Sequence, residues 1–166
     1  MKSSIEKIIR LRNPQFRFDP SLNSIALLQF ILQQAASMIR GLRFILFFKN
    51  PKGALLGYGV TFFNTPKISF GKFLKLSNQV HVSALGTHGV SFGDNVGIGA
   101  FSRIVVSTSL NDIGSGIKIG NNVGIGEFAY LGGAGGLEIG NDCIVGQYFS
   151  CHPENHNYEI TDILIR

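Results

Sequence analysis

The sequence predicts an all-β solenoid, a parallel β-helix of hexapeptide repeats, with an amphipathic α-helix ahead of it. Three observations predict this. One eight-residue phrase occurs four times: Leu76-Ser77-Asn78-Gln79-Val80-His81-Val82-Ser83, Phe92-Gly93-Asp94-Asn95-Val96-Gly97-Ile98-Gly99, Ile119-Gly120-Asn121-Asn122-Val123-Gly124-Ile125-Gly126 and Ile139-Gly140-Asn141-Asp142-Cys143-Ile144-Val145-Gly146. Apolar residues return at six-residue steps, as in Phe92, Ile98, Ile104, then Ile119, Ile125, Leu131, then Ile139, Val145, Cys151. That period suits neither a 3.6-residue helix nor a simple alternating strand. It suits a triangular coil of three short strands, each pointing one apolar side chain inward. Finally, 21 glycines and only 15% charged residues among 166 fit stacked coils around an internal core.

Residues 1–53 form a basic arm and the helix. Residues 1–52 hold nine Lys or Arg against Glu6 and Asp19, a balance of +7, whereas residues 53–166 balance at −2. Asp19-Pro20 reads as an N-cap followed by proline in the first helical turn. Ile25, Leu28, Leu32, Ala35, Ile39, Leu42 and Leu46 then recur at steps of three and four, the pattern of one apolar helix face. The 20 residues between Asp19 and Arg40 carry no charge, but their Gln, Ser and Asn content argues against a spanning segment.

Arg40, Arg43 and Lys49 interleave with the apolar residues 44–48. This suits a helix lying in a membrane interface, with Arg reaching lipid headgroups. It equally suits a helix capping the open end of the solenoid, whose backbone must be covered. Peripheral attachment through residues 20–49 to the inner face of the cytoplasmic membrane is therefore an expectation, and no nucleic-acid partner is expected. Nothing resembles a cleavable signal peptide, which makes the cytoplasm the default compartment.

Residues 54–151 carry the repeats. Glycine after the apolar position, as at Gly93, Gly99, Gly120 and Gly126, is expected to take corners at positive φ and to admit neighbouring backbone. Asn and Asp at the next positions accept left-handed turns. From Ile104 to Ile119 is 15 residues where the repeat needs six, so residues 105–118 hold an excursion. From Leu131 to Ile139 is eight, an excess of two at Gly132-Gly133-Ala134-Gly135-Gly136. Loops leaving a rigid scaffold are where binding groups are commonly placed. The glycine run matches no phosphate-binding fingerprint and reads as a flexible corner. Cys143 and Cys151 occupy repeat positions held elsewhere by aliphatic residues, and read as buried small apolar side chains.

The chemistry-bearing residues gather in residues 152–166 and just before. His81 lies beside Val80 and Val82 on an outward face and reads as structural; His88 sits at a corner. At Ser150-Cys151-His152-Pro153-Glu154-Asn155-His156-Asn157-Tyr158 the hexad rhythm stops and a polar loop carries two imidazoles. Proline directly after His152 restricts that residue to extended backbone.

The repeats and this His-Pro loop resemble the hexapeptide-repeat acyltransferases, most closely the galactoside, maltose and colanic-acid O-acetyltransferases and their polysaccharide-modifying relatives. The resemblance covers residues from about Lys67 to the C-terminus. It implies a left-handed β-helix and a homotrimer with active sites between subunits. Acetyl-CoA is implied as co-substrate, with no metal, and the acceptor is a saccharide. The family's catalytic histidine precedes proline in the matching loop and maps to His152. Imidazole titrates near neutrality, which suits it to take a proton from a sugar hydroxyl attacking the thioester. Asn155, His156 and Asn157 are candidates to bind the acceptor, with Glu127 as the one obvious carboxylate near the corresponding stretch. The chain ends 14 residues after His152, where members of the family continue through further coils that hold most cofactor contacts. A truncated chain is the resulting expectation.

Two other readings compete. One is a non-catalytic scaffold, since a fold does not establish an activity. The other is a metal hydratase of the same fold, resembling γ-type carbonic anhydrase. That enzyme needs three imidazoles on zinc, and beyond His152 and His156 no third histidine has a matching position.

Overall fold

A computed structural model of the protein describes residues 2–10 and 14–154. Among the described residues, fourteen short strands follow the helical arm, as four sets of three and a final pair. The first rung holds β1 (Leu55–Leu56), β2 (Thr61–Phe63) and β3 (Ile68–Phe70); the second holds β4 (Lys75–Leu76), β5 (His81–Ser83) and β6 (Gly86–Phe92). The third holds β7 (Gly97–Ile98), β8 (Arg103–Val105) and β9 (Gly114–Ile119). The fourth holds β10 (Gly124–Ile125), β11 (Tyr130–Gly132) and β12 (Leu137–Ile139), and β13 (Ile144–Val145) and β14 (Ser150–Cys151) follow.

Each strand pairs with its counterparts three places away, always in parallel. The result is three sheets, β1-β4-β7-β10-β13, β2-β5-β8-β11-β14 and β3-β6-β9-β12. This is a mostly parallel arrangement compatible with a parallel β-helix.

The core is made of columns of equivalent residues. Leu76, Ile98, Ile125 and Val145 are in register in the first sheet. Val82, Ile104, Leu131 and Cys151 are in register in the second, and Phe70, Phe92, Ile119 and Ile139 in the third. All of these but Ile139, Val145 and Cys151 are buried. Each fully buried aliphatic side chain contributes about 1.5–3 kcal/mol. Cys143 and Cys151 are free thiols, and both are only partly buried because they belong to the last described rung.

The register corrects one reading of the repeat. Leu76 pairs with Ile98, so the first copy of the phrase lies one face away from the other three; the true counterpart of Phe92 is Phe70. Copies of the phrase start on two of the three faces, and only hydrogen bonding to the next rung says which face each occupies. The same correction uncovers a second excursion. Ten residues separate Val82 from Phe92 where the repeat needs six, and β6 within that stretch carries a register irregularity between Gly86 and Gly89.

The corners also differ from expectation. Positive φ is carried by Asn95, Asn122 and Asp142 at one corner and by Phe101, Phe128 and Tyr148 at another, not by the repeat glycines. Glycine is required there for a steric reason. A Cβ on Gly99 would lie 2.4 Å from the amide nitrogen of Glu127, and one on Gly126 would lie 2.4 Å from that of Gln147.

The left-handed residues support one another between rungs. Asn95 Nδ2 donates to Asn122 Oδ1 at 3.0 Å and Asn122 Nδ2 to Asp142 Oδ1 at 3.0 Å. Phe101, Phe128 and Tyr148 form a column of stacked rings at 5.1 Å intervals.

At the other end, α1 spans Lys2–Arg10 and α2 spans Ser24–Gly41, continued by a 3₁₀ segment over Leu42–Phe47. The N-cap of α2 is Asn23, whose Oδ1 accepts from Ala26 N at 2.7 Å, and not Asp19 as the sequence suggests. Asp19 instead closes a local turn, its Oδ1 accepting from Ser21 N at 2.8 Å. Such a turn competes with a helix start for the same side chain.

The arm caps the first rung. Leu27, Gly41 and Phe44 are buried, and the Phe44 ring lies 4.3 Å from that of Phe70. Arg40 Nε donates to the Leu56 carbonyl at 2.8 Å and Arg43 Nη2 to that of Val60 at 3.0 Å. These guanidiniums satisfy carbonyls of the first rung, a different role from reaching lipid headgroups.

Candidate functional site

β14 ends at Cys151, and His152 leaves the sheet directly after it. Because one rung separates Leu131 from Cys151, Tyr130 lies in register with Ser150. His152 leans back over that earlier strand. Its ring stacks on Tyr130 with centroids 4.7 Å apart and planes at 15°. Its Nε2 lies 2.9 Å from Ser150 Oγ. The exposed ring is thus held by two contacts, the stack at its face and the hydroxyl at its edge.

The glycine run sits beneath the loop and has a role other than flexibility. A Cβ on Gly135 would fall 1.8 Å from the Pro153 carbonyl oxygen, and one on Gly133 would fall 2.5 Å from Ile117 Cγ1. The run is tightly packed, with Gly133 N donating to the Val105 carbonyl at 3.1 Å and Gly136 N to that of Gly133 at 3.1 Å. Only a residue without a side chain lets Pro153 settle there.

The excursion between β8 and β9 forms one wall of a cleft of about 920 Å³. Thr87, Ser107, Asp112, Ser115, Tyr130 and Glu154 are among the residues lining it. Tyr130 therefore faces the cleft and also supports the histidine. His88 Nδ1 lies 3.1 Å from Thr87 Oγ1 and 3.4 Å from Ser115 Oγ, two residues of the cleft wall, while His88 and His152 themselves stand outside its lining.

Of the other candidates, Asn155, His156 and Asn157 lie outside the described residues. Glu127 is exposed at the corner that precedes β11, where its carbonyl accepts from Tyr148 N at 2.9 Å. His152 stands past the opposite end of the paired strand. Within one chain the two are not brought together. Among the described residues, no three of His, Cys, Asp and Glu gather in a group able to hold a metal ion.

His81 belongs to a different neighbourhood. Thr61 Oγ1 lies 2.8 Å from its Nδ1, and Arg103 is its partner on the next strand. Burial, and secondarily the Arg103 charge, lowers its pKa below the ordinary 6.5.

Tyr130 and Ser150 escape a motif search because neither belongs to a recognisable pattern. The signal was nevertheless present: a 20-residue rung spacing places Tyr130 beside Ser150 once the columns are aligned. No protein-family model matches the chain, and no curated protein or solved structure matches it either.

Proposed function

We propose that the chain is a left-handed parallel β-helix of hexapeptide coils that transfers an acetyl group from acetyl-CoA to a sugar hydroxyl. In this reading His152 is the general base and the product belongs to surface polysaccharide biosynthesis. Handedness, acyl donor, saccharide acceptor and a homotrimeric assembly rest on the resemblance of the repeats and the His-Pro loop to the hexapeptide-repeat acyltransferases. The observation that carries the chemistry is local. A hydroxyl already meets His152 Nε2 at 2.9 Å on a ring held flat by Tyr130, at the margin of a cleft.

An acceptor hydroxyl entering in place of the Ser150 hydroxyl would meet the same nitrogen. Its O–H donates to Nε2 as the oxygen bonds to the thioester carbon. The resulting tetrahedral oxyanion accepts hydrogen bonds from backbone N–H groups. The C–S bond then breaks, and the imidazolium returns its proton to the departing CoA sulfur. Asn155, His156 and Asn157, directly after the His-Pro pair, are proposed to hold the acceptor.

The same contact favours a second reading. A serine hydroxyl within hydrogen-bond reach of an imidazole is the arrangement of an activated nucleophile, which would make Ser150 the carrier of a transient acetyl ester.

Calorimetric titration of the 166-residue chain with acetyl-CoA tests the proposal, followed by acetyl transfer to a panel of saccharides. Wild type and His152→Ala are expected to bind the thioester alike, with turnover only in the wild type. Failure of the folded protein to bind acetyl-CoA would favour a non-catalytic scaffold. Equal turnover by a folded His152→Ala variant would remove the histidine from the mechanism.

A further inference from the structure

The apolar stripe of α2 and of the 3₁₀ segment that continues it faces the wrong way for a core. Ile25, Leu28, Leu32, Ile39, Leu42 and Leu46 are all exposed, Ile25 at 72% and Leu46 at 75%. The end of the helix is held to the first rung through Gly41, Phe44 and the two guanidiniums bound to the Leu56 and Val60 carbonyls, and Leu27 is buried near its start. Beyond the stripe, Phe48 is fully exposed, and it occupies a left-handed backbone position (φ 56°) that disfavours a bulky residue. An exposed apolar run of about 21 Å from Ile25 to Ile39, continued by Leu42 and Leu46 of the 3₁₀ segment, is therefore left without a protein partner among the described residues. Exposed apolar patches of this extent mark interaction surfaces.

We infer that this stripe inserts into the headgroup region of an acidic lipid bilayer, with the helix axis in the membrane plane. Charge selects the occupant. The stripe belongs to the third of the chain that carries a balance of +7, with Lys7 and Arg17 exposed and Lys49 beside Phe48. An acidic surface complements that charge. Two copies of the chain meeting through their stripes would instead bring two such thirds together, and like charges facing each other oppose association.

Attachment of the helix end to the first rung also decides the depth. Ser24–Phe47 is long and apolar enough to cross a bilayer. The end of the helix is fastened to the first rung through Gly41 and the Arg40 and Arg43 guanidiniums, so a spanning orientation would draw the polar edge of that rung into hydrocarbon. With the helix in the interface, the exposed stripe is immersed and those contacts stay in place. The stripe points away from the first rung, so the strands stack away from the lipid. Four strand spacings then separate β2 from β14, which holds His152 about 19 Å further from the surface than the first rung. This inference is independent of the chemistry at His152.

Flotation of the full chain tests it, using vesicles of phosphatidylcholine alone and of phosphatidylcholine mixed with phosphatidylglycerol. The wild type is expected to float with the acidic vesicles and to be weakened by high salt. Leu32→Glu with Ile39→Glu should cut partition by about tenfold or more. Both residues are exposed, so an unchanged thermal melt should confirm that the fold survives. Lys49→Glu should weaken binding to acidic vesicles only. Absence of flotation by the folded wild type, or undiminished flotation of the double variant, overturns the inference. A stable oligomer seen by sedimentation without lipid, and abolished by the same double variant, overturns it as well, because a second copy would then be what covers the stripe.

Discussion

The imidazole of His152 lies on the ring of Tyr130, centroids 4.7 Å apart and planes 15° from parallel, although 22 residues separate them in the chain. The contact exists because β14 pairs with β11, which sets the residue before Leu131 beneath the loop that follows Cys151. If His152 is the base, Tyr130 is a positioning residue. Aromatic stacking of this kind is worth about 0.5–1.5 kcal/mol. Tyr130→Phe should then keep most of the transfer rate, and Tyr130→Leu should lower kcat about two- to tenfold with little change in KM. Steady-state kinetics of the two variants against a saccharide acceptor checks this.

Removing the base should have a larger effect. Positioned general bases contribute about 10²–10⁴-fold. His152→Ala is expected to lose turnover by that order while retaining acetyl-CoA binding and the thermal melt of the wild type. Calorimetry and melting curves, run on the same preparations as the rate assay, separate lost chemistry from lost structure.

Ser150→Ala distinguishes direct attack from an acetyl-serine intermediate. Direct attack predicts a modest change, since the hydroxyl only orients the ring. A covalent route predicts loss comparable to that of His152→Ala, and intact-mass measurement after brief exposure of the wild type to acetyl-CoA would then find an acetylated protein.

Two glycines separate loop placement from overall stability. Gly135→Ala forces its Cβ against the Pro153 carbonyl, so the His-Pro loop must move and kcat should fall with little change in Tm. Gly41→Ala forces a Cβ to 2.1 Å from the Ala54 carbonyl oxygen, lifting α2 from the first rung. Overpacking of this kind costs about 1–3 kcal/mol, which lowers Tm by several degrees in a chain of this size. Thermal melts paired with rates should show the two variants failing in opposite ways.

Acid should reveal His81. Its pKa is lowered in the folded protein by burial and by Arg103, so the unfolded chain binds more protons in the interval below 6.5. Stability therefore rises with pH through that interval. Its contribution is complete above 6.5 and is lost as pH falls toward the folded value. Urea unfolding across this window should show the slope reduced in His81→Gln, and an identical slope in the variant would assign the dependence to other groups.

The legible part of the molecule was the part with local causes. Six-residue spacing of Phe92, Ile98 and Ile104 was enough to place each on a different strand pointing inward, because that spacing depends only on the geometry of a short strand and a corner. The Asn and Asp residues at the corners were legible for the same reason, since their side chains tolerate left-handed backbone by themselves. His152 stood out because proline follows it.

Tertiary structure decided everything that depended on which rung lies beside which. It set Leu76 opposite Ile98 and not opposite Phe92, and it gave the glycines at 99, 126 and 135 their steric purpose. It placed Tyr130 under His152 and left Glu127 at the far corner. It also turned the apolar stripe of α2 outward. Periodicity identifies that stripe, but hydrogen bonds from Arg40 and Arg43 to the first rung determine which side of the helix meets protein. Sequence by itself determined the repeating unit and its apolar columns, because each unit obeys its own backbone geometry. Only the folded chain determined the neighbours, because contact between rungs depends on hydrogen-bond register across about 20 residues of chain.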